Sequence, residues 1–138
     1  MSTDFGKFTY VARGWQRAQV FRTPIINIDN GGGTTLDHLL FSDLPTDAYV
    51  LEVVFVYTEA TDTSGAASAN FKLGTAVGGA QIVAATAYEV SKAVGTTTTT
   101  TIVAGRVAAG GACFVRHTGI ASTEAGQGFV QAVVMLKP

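Results

Sequence analysis

"YVLEVVFVYTEA", residues 49 to 60, holds four valines and three aromatic residues in twelve positions. β-Branched and aromatic side chains favour a pleated, extended backbone, so the stretch reads as one long strand. In regular alternation Tyr49, Leu51, Val53, Phe55 and Tyr57 share one face, and Val50, Glu52, Val54, Val56 and Thr58 share the other. Both faces are mostly apolar, the mark of a strand covered on both sides. A sandwich core takes only one face of each strand. The second face, with Val50, Val54 and Val56, is therefore expected at a contact between copies of the chain.

The same signal recurs on either side. "QGFVQAVVMLK" (127 to 137) alternates Phe129, Val133 and Met135 against Val130, Val134 and Leu136, again apolar on both faces. "LDHLLFSD" (36 to 43) and "GACFVRHTG" (111 to 119) read as strands, and "NFKLGTAVGGAQIVAA" (70 to 85) as a hairpin. In that hairpin Gly78 and Gly79 can supply the positive φ angles of a two-residue primed turn. "DNGGG" (29 to 33), "DLPTD" (43 to 47) and the glycine pair 110 to 111 punctuate the runs, and only "TAYEVSKAV" (86 to 94) has helical flavour, enough for a turn or two. Many short strands at regular turn spacing predict an all-β, single-domain β-sandwich, jelly-roll-like, over residues 35–138.

Six consecutive threonines, Thr96 to Thr101, interrupt the apolar runs. Flexible linkers are rich in Gly, Ser or Pro, whereas threonine is stiff at χ1 and favours extended backbone. The run reads as a strand with hydroxyls on both faces. It is too polar for the middle of a core and suits an edge or a partner-facing position, with Thr98 and Thr100 as contact residues.

Charged residues are only 14% of the 138-residue chain, against 47% apolar. An average soluble domain carries about 25% charged residues. With so few charges to cover a small domain, part of the surface is expected to be buried against other chains. Membrane insertion is not the explanation, since the longest charge-free stretch, Leu73 to Tyr88, has 16 residues and three glycines. Residues 1 to 24 contain Asp4, Lys7, Arg13, Arg17 and Arg22, which break up any signal-peptide core. A single cysteine, Cys113, forms no intrachain disulfide and fits a reducing cytoplasm.

Residues 1–34 lack clean alternation and read as an extended N-terminal arm. Its aromatic and basic side chains (Phe5, Lys7, Arg13, Trp15, Arg17 and Arg22) suit a contact surface. Residues 25 to 62 hold seven acids and no Lys or Arg. Four spaced cations in the first 24 residues are too few for nucleic-acid binding, so neither nucleic acid nor membrane is an expected partner.

No arrangement points to catalysis, a cofactor or a metal. Asp37 and His38 are strand neighbours and face opposite ways. His117 and Cys113 share a face, but no third ligand stands at zinc-like spacing. "GRVAAGGA" (105 to 112) places glycines like a phosphate loop, yet Gly111 and Ala112 stand where that loop needs Lys and Ser or Thr. Those glycines instead predict a turn before the Cys113 strand. Glu52 and Glu59 fall on opposite faces, and Glu52 is expected to pair with Arg106 or Arg116. Tyr10, Trp15, Tyr49, Tyr57 and Tyr88 are candidates for a sugar-stacking platform, although core or interface packing is the commoner fate of such residues.

"LFSDLPTDAYVLEVVFVYTEA" (40 to 60), then "FKLGTAVGGAQIVAATAYEVSKAVG" (71 to 95) and the closing "GFVQAVVMLKP" (128 to 138), resemble small structural proteins of tailed bacteriophages, above all capsid decoration (cement) and head-fibre proteins. The resemblance covers roughly residues 36 to 138 in the order of elements, and its motifs are patterns of small and apolar residues. It implies a jelly-roll or other β-sandwich homotrimer on the outside of an icosahedral shell, stiffening the shell at junctions between capsomers. The implied partner is the major capsid protein of the same virion, with assembly in the host cytoplasm. A non-enzymatic virion structural protein is thus the first reading. A tail or fibre component, or a carbohydrate-binding β-sandwich recognising a host glycan, is the alternative.

Overall fold

The computed structural model of the chain describes residues 18–28, 35–61, 69–119 and 126–137. The described residues contain ten strands and no helix. In chain order these are β1 (Ala18–Arg22), β2 (Ile26–Asn27), β3 (Thr35–Phe41), β4 (Ala48–Glu59) and β5 (Asn70–Gly74). They are followed by β6 (Val83–Ala87), β7 (Thr97–Thr99), β8 (Arg106–Val107), β9 (Cys113–Thr118) and β10 (Gln127–Leu136). One sheet runs β1-β10-β4-β7, with β2 also against β10 and β8 against β4; the other runs β3-β9-β5-β6. All pairings are antiparallel. The protein is a β-sandwich, as the density of β-branched runs predicts.

The buried apolar side chains form one cluster between the sheets. Phe55 of β4 packs edge-on against Tyr88 at 4.7 Å, and Phe71 of β5 lies 5.7 Å from Phe55 between ring centroids. Phe21 of β1 and Phe41 of β3 meet at 5.0 Å, joining the sheets a second time. Alternation along β10 holds over its whole length: Val130, Ala132, Val134 and Leu136 are buried, while Phe129, Val133 and Met135 are half-buried on the outside.

Along β4 the expected alternation fails at Leu51. Val133 pairs with Glu52 but Val134 pairs with Val50, so Leu51 is an extra residue, a β-bulge. The bulge reverses the faces on its N-terminal side. Ala48 and Val50 join Val53, Phe55 and Tyr57 in the core, while Tyr49 and Leu51 are 40% and 51% exposed on the outer face. Val50 is thus a core residue, not a contact residue as its position in a regular strand implies.

Part of the segment expected to be an arm is sheet. Residues 18–22 pair with 131–135, and Phe21, Ile26 and Ile28 are core side chains. Pairing with β10, more than a hundred positions away, gives this stretch the ladder that its own alternation does not announce.

Three local readings also change. The β5–β6 connection spans residues 75–82 rather than a two-residue turn; Gly79 N–H donates to Ala76 C=O at 2.9 Å and Gly78 has φ 75°. Positive φ at the third of four residues is the requirement of a type II turn. Residues 88–94 form no helix: Lys92 N–H donates to Thr61 Oγ1 and Thr61 N–H to Lys92 C=O, tying the segment to the end of β4. Arg106 and Arg116 are engaged by Asp47 and Asp37, not by Glu52. The turn before Cys113 is present, closed by Gly111 N–H on Ala108 C=O, with Gly110 at φ 77°.

Candidate assembly surface

The outer face of the six-stranded sheet is built in cross-strand rows. Ala18 of β1, Met135 of β10 and Tyr49 of β4 stand side by side; the next row is Val20, Val133 and Glu52. Arg22, Gln131, Val54 and Thr99 make the third row, and Phe129, Val56 and Thr97 the fourth. Leu51 projects beside Glu52 because of the bulge. Apolar side chains thus cross all three strands in the first row and flank Glu52, Arg22 and Gln131 in the next two, and Val20 and Tyr49 are about two-fifths exposed. Leaving such a face in water is uncommon for a solitary domain.

Its few polar groups are partly committed. Arg22 Nε donates to Gln131 Oε1 at 2.9 Å, and its guanidinium lies 5.2 Å from the centre of the Phe129 ring. Glu52 has no ion-pair partner among the described residues.

Of the threonine run, Thr97–Thr99 form the far edge strand of this sheet, and the hydroxyls of the run divide by parity. Thr98 is buried: its hydroxyl donates to Glu89 Oε2 at 2.6 Å, and the Tyr57 hydroxyl lies 2.5 Å away. A hydroxyl has one proton, so Tyr57 must donate to Thr98, and Tyr57 in turn accepts the Glu89 N–H at 2.9 Å. The hydrogen bonds from Thr98 and then Lys92 hold the Glu89 carboxyl below its ordinary range. Thr96 and Thr100 donate to the Ala93 and Val53 carbonyls. Thr97, Thr99 and Thr101 are exposed. The edge position agrees with the sequence reading, whereas Thr98 and Thr100 spend their hydroxyls inside the chain.

Of the other residues expected at contacts, Val54 is buried and Val56 half-buried on the outer face, and Arg22 is exposed on β1. Phe5, Lys7, Arg13, Trp15 and Arg17 lie outside the described residues. Sequence reading missed Val20, Tyr49 and Leu51. The available signal was the adjacent Leu51-Glu52 pair, which puts a charge inside an apolar alternation where a bulge resolves it. Tyr57 and Tyr88 are core side chains, so no sugar-stacking platform includes them.

The opposite outer face, on the four-stranded sheet, is more polar. Arg116 Nε and Nη2 donate to the two carboxylate oxygens of Asp37 at 2.8 and 3.0 Å, and Lys72 stands next in that row. This bidentate bond lowers the Asp37 carboxyl below its usual range. Among the described residues no three His, Cys, Asp or Glu side chains converge as metal ligands would.

One solved structure has a similar fold: a chain of the cyanophage Pam1 capsid asymmetric unit aligns over 99% of both chains, with a TM-score of 0.62 and 17% identity. The two chains share a fold. At that identity the likeness is one of backbone architecture, reached with largely different side chains. No protein-family model and no curated protein matches the sequence.

Proposed function

We propose that this chain is a non-enzymatic structural protein of a bacteriophage virion, a decoration (cement) protein that associates with the major capsid protein. The observation that carries this reading is the apolar outer face of the six-stranded sheet, with Val20, Tyr49, Leu51, Val133 and Met135 in adjacent rows. The fold shared with a chain of a phage capsid asymmetric unit supplies the setting.

In this reading the apolar face packs against further copies in a homotrimer, where Val56 is joined by Tyr49 and Leu51. Burial there contributes about 25 cal/mol per Å², before the costs of association. Residues 1–17, with Phe5, Lys7, Arg13, Trp15 and Arg17, together with the exposed Arg22 of β1, contact the outer surface of the shell, and attachment takes place in the host cytoplasm.

Sedimentation equilibrium tests the association. Wild-type protein at micromolar concentration is expected at about three times the 14.3 kDa chain mass. Leu51→Lys, at an exposed position, should fold normally and shift the distribution toward monomer, whereas Leu39→Lys on the other sheet should not. A wild-type monomer would overturn the trimer and move weight to a glycan-binding sandwich. Electron microscopy of shells incubated with the protein then decides the attachment.

A further inference from the structure

The two histidines of the chain lie on adjacent strands of the four-stranded sheet. His117 of β9 has no exposed surface; its Nδ1 lies 2.7 Å from the Tyr88 hydroxyl, and its Nε2 is buried with no hydrogen-bond partner. His38 of β3 is half-buried, and its Nε2 is likewise buried and unpartnered. In the β3–β9 ladder Leu36 stands opposite His117 and Val115 opposite His38. The two imidazoles are therefore diagonal neighbours on one face of a strand pair, a separation of about 7–8 Å between such positions.

The charges around the pair give an imidazolium little help. On β3, Asp37 attracts a proton toward His38, but it faces the other way and is held by Arg116 of β9. Lys72 of β5 lies in that same outer row. On the inner side of β9, Cys113 is a thiol pushed up to about 12 by burial. The Tyr88 hydroxyl, raised by burial and by Tyr57, stays neutral. The charge that bears on His117 is that of His38.

We propose that His38 and His117 form a proton switch within the sandwich: mild acid favours an opened state in which both imidazoles are charged, the edge strand β3 has left β9 and the contact of Tyr88 with His117 is released. β3 is the strand placed to leave, since among the described residues it has one neighbour in the sheet. Release reaches the other sheet, because the Tyr88 ring packs on Phe55 at 4.7 Å. Burial, and then His38, push the His117 imidazole down to about 4 from the ordinary 6.5. The opened chain thus takes up the proton first, so the stability due to His117 is complete above about 6.5 and is lost as pH falls from there toward 4.

The test is urea unfolding of the full chain between pH 7.5 and 4.5, for wild type, His38→Gln and His117→Gln, with NMR titration of the imidazole protons. Over that range the wild-type unfolding constant should rise on the order of 100-fold more than that of His117→Gln. In His38→Gln the His117 midpoint should move up, because a neighbouring positive charge is gone. A His117 midpoint near 6.5 in the folded wild type would overturn the switch, as would parallel loss of stability in all three proteins. Should His117→Gln fail to fold, the NMR midpoints of wild type and His38→Gln decide alone.

Discussion

The hydroxyls of Tyr57 and Thr98 lie 2.5 Å apart beneath the sheet edge, and with Glu89 they close a hydrogen-bonded loop between β4, β7 and the 88–94 connection. One threonine in a run of six is thereby singled out. Thr98→Val keeps the shape and leaves Tyr57 without its acceptor, an expected loss of about 1–3 kcal/mol in urea unfolding. Thr97→Val and Thr99→Val, at exposed positions, should each stay within about 0.5 kcal/mol. Equal effects at all three would mean that the run acts through strand propensity alone.

Gly128 sits on the inner face of β10, where a Cβ would strike the Val56 carbonyl oxygen and the Phe55 ring. The obstruction is backbone on one side and a packed core ring on the other, so neither yields cheaply. Gly128→Ala should therefore cost more than about 3 kcal/mol or prevent folding. At Gly110 nothing lies within 4 Å and only φ 77° opposes a side chain. Gly110→Ala should cost about 1–2 kcal/mol. Thermal melts of the two variants give the comparison.

Cys113 is fully buried, and burial pushes its thiol up to about 12. The thiolate is the reactive form. At pH 8 an aromatic disulfide reagent should modify the native protein only as fast as the sandwich opens, and the denatured protein within the mixing time. Rapid labelling under native conditions would show that β9 is accessible.

Truncation places the boundary of the N-terminal segment. Removing residues 1–24 deletes β1 and with it the Phe21–Phe41 contact at 5.0 Å. Losing a buried phenylalanine alone costs about 3–5 kcal/mol. Circular dichroism should show this truncation unfolded or melting far below wild type. Removing residues 1–17 should leave the melt nearly unchanged while weakening the proposed attachment to the shell. A stable fold after the longer deletion would mean that β1 contributes little.

The sequence by itself determined the all-β class and the faces of β10, because both follow from local chemistry. β-Branched residues restrict their own backbone, and a strict period of two survives wherever the strand is regular. The threonine run was legible as an edge strand on the same ground. Tertiary structure alone decided which face Tyr49, Val50 and Leu51 present, because the bulge at Leu51 exists only in register with Val133 and Val134. It also decided that residues 18–22 belong to the sheet, through a partner strand at the far end of the chain. Likewise it set the spending of the Thr98 hydroxyl on Glu89 and Tyr57 rather than on a neighbouring molecule. Each of these rests on a pairing between residues distant in sequence, and local pattern carries no register for such pairs.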